Sequence, residues 1–270
     1  MVELENKYTP TSRRFGLINW IGVWSLYKKE VLRFLIVIGQ TILGPITTAG
    51  LFLLVISLAI GEQRADVLGV PYINFLFPGL LAMQFLTQAF SHSSSSLLMG
   101  KVMGNIFDLI ASPLSALEVT FAIILASVTR SFIIAVVCIL VFAIFLDIEI
   151  YNIYYSFIYL FLGSFFLGAA GFILGCHVQK FDEMSSYTNF IIQPLVFLSG
   201  SFYSIEKLPK FLQTISEYNP FFYMIDGFRF GFIGQSDGSI SFGLIYLSSL
   251  CLITWFVAYV LYKKGYKIKS

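Results

Sequence analysis

Residues 190–234 read FIIQPLVFLSGSFYSIEKLPKFLQTISEYNPFFYMIDGFRFGFIG, and the reading of this stretch decides the fold. It begins as an apolar helix, breaks at Ser199-Gly200-Ser201, and passes Pro209 and Pro220 into a second apolar-aromatic segment too short and too interrupted to cross a bilayer. Lipid cannot satisfy non-helical backbone groups, so a chain that dips back into a membrane needs protein or a water-lined cavity around it. The pattern therefore predicts a re-entrant segment over about 200–234, lying beside a pathway.

The surroundings support a membrane reading. Of the 270 residues, 57% are hydrophobic and only 12% charged, whereas a soluble domain carries about 25% charge. Cys138, Cys176 and Cys251 lie inside apolar runs without CxxC or CxxH spacing, so they read as small buried hydrophobes and imply no disulfide framework or metal knuckle. No internal repeat and no linker interrupts the chain, so residues 1–270 read as a single polytopic domain.

Outward from the quoted stretch, apolar runs of bilayer length recur on both sides. Toward the C-terminus, 240–262 forms a span closed by Lys263, Lys264, Lys267 and Lys269. Toward the N-terminus come a span at about 187–198 that must borrow from the broken segment, a polar turn at 179–186 and a span at 154–178. In that last span Ser164, Gly168, Gly171 and Gly175 form a small-residue face suited to close helix approach. A span at 117–145 carries Arg130 near its middle, where a cation must find a protein or water partner. Spans at 72–90, with Pro78-Gly79 inside, and 34–60, with Gly44-Pro45 inside, complete six. His92 and Ser93 to Ser96 are expected to lead out of the membrane. Residues 20–34 place Trp20, Trp24, Tyr27, Val31 and Phe34 on one helical face and Ser25, Lys29 and Arg33 opposite, as in a helix lying in the headgroup layer. The Arg13-Arg14 pair is not expected to mark a cleaved export signal, because the apolar stretch after it is too long and no small-residue cleavage site follows.

Six spans put both termini on one side. On that side fall Lys7, Arg13, Arg14, Lys28, Lys29, Arg33, Lys101, Lys180 and the four C-terminal lysines, twelve in all, against Arg64, Lys207, Lys210 and Arg229 on the other. Basic residues favour the cytoplasm, so both termini are expected there and the re-entrant segment on the outside.

The residues of an enzyme are missing. His92 and His177 have no metal-ligand spacing and read as helix-end residues. No GxSxG elbow occurs, Ser93 to Ser96 has no base placed for it, and Gly100-Lys101 lacks the first glycine and the hydroxyl of a P-loop. Transport is the better fit. The segment 101–115, ended by Ser112-Pro113, has the form of a short rod that docks into another protein. Asp226 and Arg229 stand at i,i+3 helical spacing. An ATPase-independent channel or assembly protein, and a membrane-embedded enzyme, are the alternatives.

Several motifs occur in a fixed order: Phe75-Leu76-Phe77-Pro78-Gly79-Leu80-Leu81, Asp108-Leu109-Ile110-Ala111-Ser112-Pro113-Leu114-Ser115, Pro194 with Leu198-Ser199-Gly200, Leu208-Pro209, Asn219-Pro220, and Asp226-Gly227-Phe228-Arg229 ending at Gly234. With Lys29-Glu30-Val31-Leu32-Arg33-Phe34 ahead of them, this ordered set resembles the membrane subunit of ABC-2 type exporters. The resemblance implies an all-α fold of six transmembrane helices, an N-terminal interfacial helix at about 20–34 (Lys29, Glu30, Arg33) and an extracytoplasmic re-entrant cap (Gly200, Pro209, Asn219, Pro220, Asp226, Arg229) between helices five and six. It also implies a coupling segment at about 101–115, with Asn105, Asp108, Leu109, Ser112 and Pro113 pressed into an ATPase. Where many members have Glu-Gly-Thr before that segment, this chain has Met103-Gly104-Asn105-Ile106. Further implications are a homodimer in the plasma (inner) membrane carrying two ATPase subunits, with ATP and Mg bound by those partners, no cofactor in this chain and no nucleic acid. The cargo would be a glycan, a lipid or a hydrophobic drug.

Overall fold

A computed structural model describes residues 16, 18–60 and 66–267. Lys7, Arg13, Arg14, Arg64 and Lys269, used in the charge count, lie outside these residues. The described chain is almost wholly helical, with one isolated bridge between Val67 and Val70.

The helices are α1 (Trp20–Ile36), α2 (Gly44–Ile60), α3 (Tyr72–Val102), α4 (Ile106–Ala111), α5 (Ala116–Phe142), α6 (Ile153–His177), α7 (Phe181–Tyr187), α8 (Gln193–Phe197), α9 (Lys210–Tyr218), α10 (Pro220–Ile233) and α11 (Ile240–Lys263). Among the described residues, five helical stretches are long and apolar enough to cross a membrane: Gly39–Ala59, Tyr72–Val102, Ala116–Phe142, Ile153–His177 and Ile240–Lys263. A π-helical turn, Gly39–Leu43, precedes Gly44-Pro45 and takes up the distortion that the proline demands.

α3 is the central post. Its 31 residues rise about 46 Å, and α5, α6 and α10 pack around it. The small-residue face of α6 does what its spacing predicts. A Cβ on Gly171 would sit 2.3 Å from the Phe90 carbonyl oxygen, and one on Gly175 3.0 Å from that of Ser94, so these glycines let two backbones touch. α2 and α11, by contrast, turn Leu51, Leu58, Leu252 and Phe256 outward, as helices bathed in lipid do.

Three expectations change. α3 does not leave its bundle at Phe90; it continues to Val102, because the hydroxyls of Ser94 and Ser95 donate to the carbonyls of Phe90 (2.9 Å) and His92 (3.1 Å) and stay inside the helix. His92 is accordingly a fully buried mid-helix residue, whereas His177 does end α6. The polar turn expected at 179–186 is mostly helix α7, which runs through a π-helical turn, Thr188–Ile192, into α8. In α1 the buried stripe is Val23, Leu26, Glu30 and Phe34, while Trp20 and Trp24 face outward. The amphipathic helix is there, but its protein-facing side includes a glutamate.

Candidate functional site: a polar stripe between two helix ends

From Phe75 to Leu98, every residue of α3 is buried except Gln84, Thr87, Gln88, Ser91, Ser95 and Ser96. All six are polar. Spacings of three and four residues put them along one side of the helix. A surface meant for lipid would be apolar, since an amide or hydroxyl in hydrocarbon lacks partners. This stripe suits water, a polar cargo, or both.

Charged side chains flank it. Arg33, from α1, donates through Nε to Glu30 Oε2 at 3.0 Å, through Nη2 to the His92 carbonyl at 3.0 Å, and through Nη1 to Ser95 Oγ at 3.4 Å. His92 Nε2 lies 3.7 Å from the same Glu30 oxygen. Arg130, from α5, donates to Gln88 Oε1, and its guanidinium lies 6.0 Å from the Phe34 ring centre. The partner that the sequence demanded for Arg130 is thus a neutral amide on the stripe. Ser131 Oγ donates to the Phe85 carbonyl at 2.9 Å and fixes α5 against α3 at this level.

At the N-terminal end of α3 lies the segment expected to form the cap. The chain turns at Gly200, whose φ of +73° suits only glycine without strain, and Pro209 and Asn219-Pro220 open α9 and α10. Asp226 and Arg229 form a buried pair, with 2% and 1% of their areas exposed. Arg229 Nη2 donates to the Gly200 carbonyl at 2.6 Å, its guanidinium lies 3.9 Å from the Phe75 ring centre, and Nη1 is 3.9 Å from Asp226 Oδ1. Asp226 accepts from the backbone N–H groups of Asp237 (3.0 Å) and Gly238 (2.9 Å). Gly79 makes room: a Cβ there would stand 2.4 Å from the Ser201 carbonyl oxygen and 2.9 Å from Arg229 Nη2.

At the C-terminal end of α3 lies the expected coupling segment. Asn105 precedes α4, Asp108 and Leu109 are on it, and Ser112-Pro113 follows it. Asp108 is exposed, as are Met103, Phe107 and Ile110. Behind the segment, Glu118 accepts from the backbone N–H of Asn19 (2.5 Å) and of Ser115 (2.6 Å), while Asn19 Nδ2 donates to the Pro113 carbonyl at 3.1 Å. The starts of α1 and α5 and the loop after α4 are therefore one hydrogen-bonded unit. Lys29 lines the hollow of about 270 Å³ between α1 and this loop, together with Asp108, Leu109 and Pro113. Lys101 Nζ donates to carbonyls at the C-terminal end of α6, that of Cys176 (2.6 Å) and that of Val178 just beyond the helix (3.1 Å). Among the described residues, no group of three His, Cys, Asp or Glu side chains is placed to hold a metal ion.

Residues 22–233 match the family model of the ABC-2 type transporter. The chain belongs to that family. It is similar to the inner membrane transport permease YadH of Escherichia coli strain K12, with 30% identity over 240 residues covering 87% of this chain and 94% of the relative. It is also similar to nodulation protein J of Neorhizobium galegae, with 22% identity over 253 residues covering 92% and 94% of the two chains. Family and membrane-length helices together make this ABC-2 protein a membrane transport permease. Sequence reasoning named the residues around the Gly200 turn and those of α4 but missed the stripe; Gln84, Gln88, Ser91 and Ser95, at helical spacing inside an apolar context, were the available signal.

Proposed function

We propose that this permease forms the cargo path of an ATP-driven exporter, with the polar stripe of α3 lining that path. The observation that carries the reading is the stripe itself: from Phe75 to Leu98 the six positions not buried are all polar, on a helix of membrane length. Such a surface favours an amphiphile with a hydroxyl- or amide-rich portion, a glycan or lipid, over a wholly hydrophobic drug.

The working unit is a dimer of this chain bearing two ATPase subunits, which bind ATP and Mg, against the α4 segment. Exposed apolar side chains on a six-residue helix support that docking role. The helical run of 17 residues from Phe181 to Phe197 rises about 25 Å and serves as a sixth crossing with the turn after it. α9 and α10 form the re-entrant cap. Charge distribution puts the termini and α4 in the cytoplasm and the cap outside. ATP binding shifts the dimer between two arrangements, and α4 transmits the shift because its contacts with the ATPase differ between them.

Reconstitution with its own ATPase tests this. Cargo movement should require ATP, and Asp108→Ala with Pro113→Ala should uncouple hydrolysis from movement. Unchanged coupling in the double variant removes the assignment of α4, and movement without any ATPase favours a channel instead.

A further inference from the structure

We infer that Arg130 and Gln88 form a receiving site for an anionic group, of the phosphate or carboxylate class, carried on the amphiphile that moves along α3. The inference rests on the reading of the α3 stripe as the path, and it narrows the class of cargo.

Arg130 lies in the interior of α5, fourteen residues after Ala116 and twelve before Phe142. A cation at that depth costs about 2.5–3.5 kcal/mol on insertion scales, which calls for a compensating partner. The obvious partner is already engaged. Glu30 is bound to Arg33 Nε at 3.0 Å, and among the described residues no carboxylate lies within 4.0 Å of Arg130. Two guanidinium groups against one carboxylate leave one positive charge uncompensated. Arg130 gives a hydrogen bond to the neutral Gln88, and its buried Nε has no hydrogen-bond partner.

A structural tie alone does not account for this arrangement. Bonding α5 to the Gln88 amide needs one neutral donor, and Ser131 already supplies such a bond to α3 a residue away. What Arg130 adds is a half-buried planar cation with one unused donor, bonded to Gln88, which is half-buried too. A guanidinium presents parallel N–H groups to two oxygens of a phosphate or carboxylate. The Gln88 amide can turn its NH₂ toward a third oxygen once such a group arrives. Arg33, whose bonds to Glu30, Ser95 and His92 hold it near the stripe, adds attraction without having to move.

The test uses the full chain in phosphatidylcholine nanodiscs with two photoreactive probes, dodecyl phosphate and dodecyl maltoside. Dodecyl phosphate should label the protein, Arg130→Gln should weaken that labelling about tenfold, a loss of one charged contact, and Arg130→Lys should weaken it less. Maltoside labelling should be the same in all three proteins, which a folding defect would not allow. Equal phosphate labelling in wild type and Arg130→Gln overturns the inference, and so does a parallel loss of both probes. Excess inorganic phosphate should not compete; full competition would make the ligand a free anion and overturn its assignment to an amphiphile. Ser91→Cys separates the two levels of the argument. If an impermeant thiol reagent reaches it while Arg130→Gln changes nothing, the anion site alone fails; if the reagent does not reach it, the path reading fails as well.

Discussion

The two ends of α3 are built in opposite ways. At its N-terminal end the segment proposed as the cap is closed on itself: Arg229, Asp226, the Gly200 turn and the Phe75 ring contact one another, and both charged side chains are buried. At its C-terminal end α4 is tied to the bundle from behind, through Glu118, Asn19 and Pro113, and leaves Phe107 64% exposed. In the first region cation, carboxylate and turn bond to one another, with only Arg229 Nε left without a partner among them; in the second, Ile106 is buried in the bundle while Phe107 and Ile110 stay exposed. One end of the helical post is closed by buried polar contacts, and the other leaves apolar surface open.

That contrast can be broken by substitution, and the effects should fall in order. Arg229→Ala should be the most damaging, lowering stability by about 3–5 kcal/mol, because it strands Asp226 in a buried site; thermal unfolding in detergent measures it. Gly79→Ala should cost about 1–3 kcal/mol, since the new methyl meets a backbone oxygen that cannot step aside. Glu118→Gln should cost about 1 kcal/mol as charge-assisted bonds to two N–H groups weaken, and it should also loosen the link between α1 and the α4 loop, read as reduced transport at full ATPase binding. Phe107→Ser should change stability by no more than about 0.5 kcal/mol and still abolish association with the ATPase. A cap substitution that spared stability, or an α4 substitution that destroyed it, would erase the distinction.

Much of this architecture is legible in the residues, and the parts that are not have a common cause. Long apolar runs marked the helices, and the row Gly168, Gly171, Gly175 marked a close crossing, because hydropathy and side-chain size act locally. The break at Ser199-Gly200-Ser201 was visible since Gly200 adopts a conformation other residues avoid. Which face of a helix turns inward is set by partners far away in the chain. Glu30 is buried because Arg33 and His92 meet it, a contact across 62 positions that no window of α1 contains. The serines of α3 looked like a way out of the membrane because their hydroxyls can bond to their own helix as readily as to water. The i,i+3 spacing of Asp226 and Arg229 marked a pair but not its burial, because that spacing is the same exposed or buried.

The central claim is that the cap and α4 stand on opposite sides of the membrane. The most direct measurement is labelling by an impermeant thiol reagent of Tyr218→Cys, at the 77% exposed end of α9, and of Phe107→Cys on α4. The three native cysteines are buried and give little background. Labelling of Tyr218→Cys on intact cells, and of Phe107→Cys only in inverted vesicles, is the predicted result. Labelling of both from the same side would contradict the account.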